Sequence, residues 1–128
     1  MRLTYLPLIV VLGMLLSACH SGPVAVKADT SPAEIVQRAQ EASDKNRYNQ
    51  ALEYYEIILE RFPDDIDMVC TAEYEIAFIH YKQRKYDLAR EEFNALLERY
   101  DSPDEVLLPP QYKRLAAIVL ERMAEKDK

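Results

Sequence analysis

Apolar residues recur along this chain at the spacing of helices, not of strands. In one stretch Ala51, Tyr55, Ile58, Leu59 and Phe62 fall at i, i+4, i+7, i+8 and i+11, a single stripe on a 3.6-residue helix. The stripe returns at Ala89, Phe93, Leu96, Leu97 and Tyr100. Helices are therefore predicted over 48–62 and 86–100. Between them, 65–83 carries Ile76-Ala77-Phe78-Ile79, apolar on every side of a turn, so that helix is expected to be buried on more than one face. A first helix over 32–45 has sparse apolar positions, Ile35, Val36, Ala39 and Ala42, and needs a neighbour to be stable. Its start is marked by Ser31-Pro32-Ala33-Glu34: an N-cap hydroxyl, Pro at the first helical position and Glu placed to close a capping box. Pro63-Asp64-Asp65 ends the second helix. Ser102-Pro103-Asp104-Glu105 repeats the capping signal, but Pro109-Pro110 limits what it opens to a short turn and starts a last helix over 110–126, with Tyr112, Leu115, Ala116, Val119 and Met123 on one stripe.

The pattern is duplicated. Tyr48-Asn49-Gln50-Ala51 aligns with Tyr86-Asp87-Leu88-Ala89 at an offset of 38 residues. The same offset makes Glu53/Glu91, Leu59/Leu97, Glu60/Glu98 and Arg61/Arg99 identical, keeps the character of Tyr55/Phe93, Ile58/Leu96 and Phe62/Tyr100, and pairs Ala39 with Ala77 upstream. Such a period predicts a stack of supersecondary units, none of which buries its apolar face alone. Ala39, Tyr48, Ala51, Tyr55 and Pro63 in one unit, with Ala77, Tyr86, Ala89 and Phe93 in the next, resemble the tetratricopeptide repeat (TPR). The resemblance implies an all-α fold, a right-handed stack of antiparallel helix pairs with about two repeats and a C-terminal capping helix. Three features depart from the family pattern: Ala42 where an aromatic is usual, Asp101 in place of the closing Pro, and a period longer than the usual ~34. The longer period is similar to that of exported TPR lipoproteins such as the BamD-type subunits of the outer-membrane β-barrel assembly complex.

Composition supports helices: Gly is nearly absent, while Ala, Leu, Glu, Arg and Lys dominate. The formal net charge of −6 argues against nucleic acid as a partner, since phosphate needs a basic surface. The N-terminal residues are a different matter. Arg2 followed by the apolar run Leu6 to Leu16 is too short to span a bilayer as a helix and has the form of an export signal. Leu16-Ser17-Ala18-Cys19 resembles the bacterial lipobox, which implies a signal peptide over 1–18, lipidation (palmitate among the acyl groups) at Cys19 and a membrane anchor; an ordinary signal peptide with a chance cysteine is the competing reading. Residues 19–30, with Gly22 and Pro23 and no helical period, are expected to be a flexible tether of up to about 35 Å, leaving 31–128 as the folded domain. His20 after the cysteine favours, by resemblance to enterobacterial sorting, the outer membrane facing the periplasm.

In TPR stacks the first helix of each unit lines the inner face. By the 38-residue offset the inward positions are Val36, Tyr74 and Tyr112, then Gln40, Phe78 and Ala116, then Ser43, Tyr81 and Val119. This makes Tyr74, Phe78, Tyr81 and Tyr112 the candidate partner-binding groove, suited to an apolar peptide or helix. The competing reading is that these rings complete the core. The turns within units are basic (Lys45, Arg47; Lys82, Arg84, Lys85) and those between units acidic (Asp64, Asp65, Asp67; Asp101, Asp104, Glu105), which predicts one positive and one negative edge. Neither His20 nor His80 has a catalytic or ligand companion, and HExxH, GxSxG and Gly-rich phosphate motifs do not occur, so no enzyme activity, metal or cofactor is expected. Cys70, with no disulfide partner, is expected to be a buried thiol. These readings point to a lipid-anchored adaptor binding a protein or peptide in envelope assembly or maintenance, with self-association to a homo-oligomer open. The alternative is a small-ligand-binding or transporter or secretin accessory lipoprotein.

Overall fold

A computed structural model of the protein describes residues 22–126, and the expected signal peptide over 1–18 and the expected lipidation at Cys19 lie outside the described residues. Five α-helices follow one another: α1 Pro32–Asp44, α2 Tyr48–Arg61, α3 Ile66–Lys82, α4 Tyr86–Arg99 and α5 Pro110–Lys126, with a 3-10 turn at Pro103–Leu107 before α5. Each helix ends within one residue of its expected bounds, and there is no strand among the described residues. α1 pairs with α2 and α3 with α4; α3 packs back on the first pair, and α5 packs on α4 and α3. The result is an all-helical, TPR-like stack of two helix pairs and a closing helix.

Two apolar clusters hold the stack. The first joins Ile35, Ala39 and Ala42 of α1, Ala51, Tyr55 and Ile58 of α2, and Ala72 and Ile79 of α3. The second joins Cys70, Tyr74 and Ala77 of α3 to Ala89, Phe93 and Leu96 of α4, Tyr100, and Ala116, Val119 and Met123 of α5. The repeated alanines Ala39, Ala51, Ala77 and Ala89 are all fully buried, which lets the paired backbones approach closely. α3 belongs to both clusters, as the apolar run Ile76-Ala77-Phe78-Ile79 leads one to expect.

The turn inside each pair is duplicated bond for bond. Lys45, Asn46 and Arg47 donate to the carbonyls of Glu41, Ser43 and Ala42 at 3.3, 2.9 and 2.8 Å; Gln83, Arg84 and Lys85 donate to those of Ile79, Tyr81 and His80 at 2.9, 3.0 and 3.0 Å. This is the Schellman arrangement, in which a left-handed residue ends the helix. Asn46 and Arg84 occupy that position with φ of 57° and 63°. Asn tolerates it; Arg carries a Cβ that crowds the following carbonyl.

Three expectations need correction. Glu34 does not complete a capping box: Ser31 Oγ accepts from Glu34 N–H at 3.2 Å, but the Glu34 carboxylate pairs with Arg38 one turn on. Residues 22–30 are not a free tether. Val24 N–H donates to Glu53 at 2.8 Å, the Arg61 guanidinium donates to the Lys27 and Val26 carbonyls at 3.1 and 3.3 Å, Val26 packs against the first cluster and Thr30 is buried. The segment is a strap along α2, held because Val26 gains apolar contact and the backbone finds polar partners. Finally, the 38-residue offset does not carry into α5. Ala116 and Val119 are buried in the second cluster, not inward-facing. The 3-10 turn lengthens the connection, so Ala116 and Met123 take the places of Ala72 and Ile79, an offset of 44.

Two hydroxyls make the cost of burial testable. Tyr55 is fully buried and its hydroxyl has no hydrogen-bond partner among the described residues, whereas the buried Tyr100 hydroxyl donates to the Pro109 carbonyl at 2.7 Å. Tyr55→Phe is expected to be neutral or stabilising, as the natural Phe93 at the equivalent position suggests, while Tyr100→Phe should cost about 1–2 kcal/mol. Arg84→Gly should add about 0.5–1 kcal/mol by relieving the left-handed strain, net of the added freedom of the unfolded chain, and Asn46→Gly less. Urea denaturation of the single variants checks all four; a destabilised Tyr55→Phe or Arg84→Gly would contradict the assignments.

Candidate functional site

The rings of the candidate strip form a ladder that begins in the core and ends at the surface. Tyr74 is 7% exposed and meets Phe93 of α4, Tyr112 of α5 and Phe78 of its own helix at centroid distances of 5.7, 5.4 and 5.8 Å. Tyr74 is part of the second cluster and lies beneath the strip, not on its surface. Phe78 stacks on Tyr81 at 5.9 Å, and Tyr81 meets Tyr86 of α4 at 5.8 Å. Phe78, Tyr81, Tyr86 and Tyr112 are half-buried, so part of each stays open to solvent. Each ring pair is worth about 0.5–1.5 kcal/mol beyond its area, which makes the ladder rigid.

Tyr112 is fixed at both ends. Thr71 Oγ1 donates to the Asp67 carbonyl at 2.7 Å, so at 2.7 Å from the Tyr112 hydroxyl it accepts, and the phenol donates. The ring of Tyr112 leans on Tyr74, and its hydroxyl joins α5 to α3.

Two ammonium groups lie over the ladder. Lys82 Nζ is 5.3 Å from the Phe78 centroid and 5.1 Å from that of Tyr48, and it donates to Ser43 Oγ at 2.6 Å. Lys126 Nζ lies over Tyr81 and Tyr86 at 5.3 and 5.4 Å. Lys82 thus leaves the expected basic edge and ties the end of α1 and the start of α2 to α3. Lys45, Arg47, Arg84 and Lys85 remain exposed in the two duplicated turns. The acidic connections are exposed as well, with Asp65 accepting from Met68 N–H at the start of α3 and Glu105 paired with Lys113 of α5.

Several neighbours of the strip escape a reading by repeats. Glu75 is half-buried, and burial raises its carboxyl above the usual range while Lys82 pulls it back. Thr71 and Lys126 belong to positions that differ between units, so an offset does not mark them. The helical spacing Thr71, Glu75, Phe78, Lys82 on α3 was the available signal. Cys70 is fully buried beside the Tyr100 hydroxyl, and burial raises its thiol. His80 Nδ1 lies 2.7 Å from Glu92 of α4, which makes it an interhelical link.

The tetratricopeptide-repeat profile matches residues 36–65 and 71–102, one match on each helix pair. The chain carries two tetratricopeptide repeats. It is also 36% identical over 110 residues to an uncharacterized protein of Treponema pallidum (strain Nichols), an alignment covering 84% of this chain and 44% of that protein. The chain therefore spans less than half the length of that relative. No solved structure matches it significantly. No helix among the described residues is long and apolar enough to cross a membrane.

Within these TPR units Glu75 gives a pH test. Its folded pKa is raised, so its stabilising contribution is present below the unfolded carboxyl pKa of ~4.3 and is lost as pH rises through the folded value. Glu75→Gln is accordingly expected to stabilise the domain at pH 7, with the advantage gone below about pH 4. Thermal melts of both proteins across this range decide it. In the same samples Cys70 should resist a thiol reagent until urea unfolds the chain; fast labelling of the native protein would contradict its burial.

Proposed function

We propose that the chain is a lipid-anchored TPR adaptor that binds a protein or peptide segment of the cell envelope along Phe78, Tyr81 and Tyr112. The observation that carries this reading is the ring ladder: it is rigid, continuous from α5 through α3 to α4, and open along one edge. A preorganised apolar surface loses little side-chain freedom on binding. Its phenol groups and the ammonium groups of Lys82 and Lys126 suit a segment with apolar side chains and an acidic or carbonyl group beside them. TPR repeats generally serve protein interaction, which favours an adaptor over a catalyst. The lipobox-like Leu16-Ser17-Ala18-Cys19 supports the anchor, and His20 supports the outer membrane facing the periplasm.

In-cell photocrosslinking from position 81, with Lys85 as a second site on the exposed turn, should yield a defined protein adduct that Phe78→Ser abolishes. No adduct from either site, with an apolar small molecule co-purifying, would instead establish the ligand-binding alternative. Cys19→Ser should release the protein from the membrane fraction; unchanged fractionation would refute the anchor.

A further inference from the structure

A different side of α3 carries a second groove. Glu73, Ile76 and His80 lie at i, i+3 and i+7 on that helix, on neither the Tyr74 nor the Phe78 line. The groove runs between α2 and α4 with α3 as its base and encloses about 630 Å³. Leu59, Ile76, Ala95 and Leu96 give it an apolar floor, and glutamates from all three helices give it a rim.

The rim charges do not cancel. Arg99 is its cation, and its charge is already paired: the Nε/Nη2 edge of the guanidinium is taken by Glu73, with Nε to Oε2 at 2.8 Å and Nη2 to Oε1 at 2.5 Å. Glu92 is engaged by His80. Glu56 on α2 and Glu98 on α4 are exposed and have no ion-pair partner among the described residues. An apolar floor is thus flanked on both walls by uncompensated carboxylates.

We propose that this groove is a docking site for a cationic amphipathic helix of a partner protein. Such a helix presents an apolar stripe to Leu59, Ile76 and Leu96 and has Lys or Arg on both sides of the stripe to meet Glu56 and Glu98. An acidic or purely polar segment lacks one half of this match, because like charges repel and an unfilled apolar floor gains nothing. The site is separate from the aromatic strip, so its occupancy does not depend on the function proposed above. With both sites in use, the two TPR units join two partners on different sides of one helix.

The test uses the full-length chain and two synthetic peptides of roughly five helical turns, identical in their leucine stripe and flanked by Lys in one and by Glu in the other. Fluorescence anisotropy should show binding of the Lys peptide, weakening with salt, and none of the Glu peptide. Glu56→Lys with Glu98→Lys should weaken binding at least about tenfold. Ala95→Trp, at an exposed position on the groove floor, should do the same without changing charge, with circular dichroism confirming the fold. Glu121→Lys with Glu125→Lys on α5, and Tyr81→Ala on the strip, should leave affinity unchanged. No binding of the Lys peptide, equal loss in the α5 control, retained affinity in Ala95→Trp, or loss in Tyr81→Ala would each overturn the assignment. The second of these would mean diffuse attraction to an acidic protein, and the last an occupant of the aromatic strip.

Discussion

The fold depends on one helix being buried on two sides at once. Ala72 and Ile79 of α3 complete the cluster of the first helix pair, and Cys70, Tyr74 and Ala77 begin the cluster of the second. A fully buried large apolar side chain is worth about 1.5–3 kcal/mol, so Ile79 alone contributes a sizeable part of the marginal stability of a small domain. Without α3 as a shared wall, α1 and α2 would expose the face that holds Tyr55 and Ile58. The two repeats therefore do not fold as separate modules.

Much of this was legible in the sequence because the forces that set it are local. The helix bounds follow from stripes of apolar residues and from Pro and Ser at the ends, and the run Ile76-Ala77-Phe78-Ile79 announced a helix buried on more than one face. The duplicated turn was visible only as an alignment; its reuse of the same backbone bonds, with Asn46 and Arg84 in left-handed conformation, could not be read from residues as different as these. What failed had a common cause. The place of Ala116 and Val119, the docking of 22–30 and the departure of Lys82 from the basic edge each depend on which element lies across the gap, and a periodic pattern carries no such information. The strip was half legible: its residues were found, but the burial of Tyr74 depends on Phe93 of α4 and Tyr112 of α5 packing against it.

Repetition also fails to mean equivalence. Arg61 and Arg99 occupy the same place in the two units, yet Arg61 holds the backbone of the strap while Arg99 holds the carboxylate of Glu73. The same guanidinium fork serves a carbonyl pair outside the first unit and an acid within the second, where Glu73 stands in place of Ile35. The strap packs on the first pair and α5 on the second.

The strap changes the mechanics of attachment. With the chain held to α2 from Val24 on, a lipid at Cys19, as proposed, would be joined to the folded body through residues 19–23, whose contour is at most about 18 Å. The domain would then sample a thinner layer next to the bilayer instead of a hemisphere some two times deeper. Confinement of that kind raises the effective concentration of its surfaces for partners fixed in the same membrane and removes those that stand far from it. The carboxylate of Glu53 and the guanidinium of Arg61 would set the distance at which the protein can work.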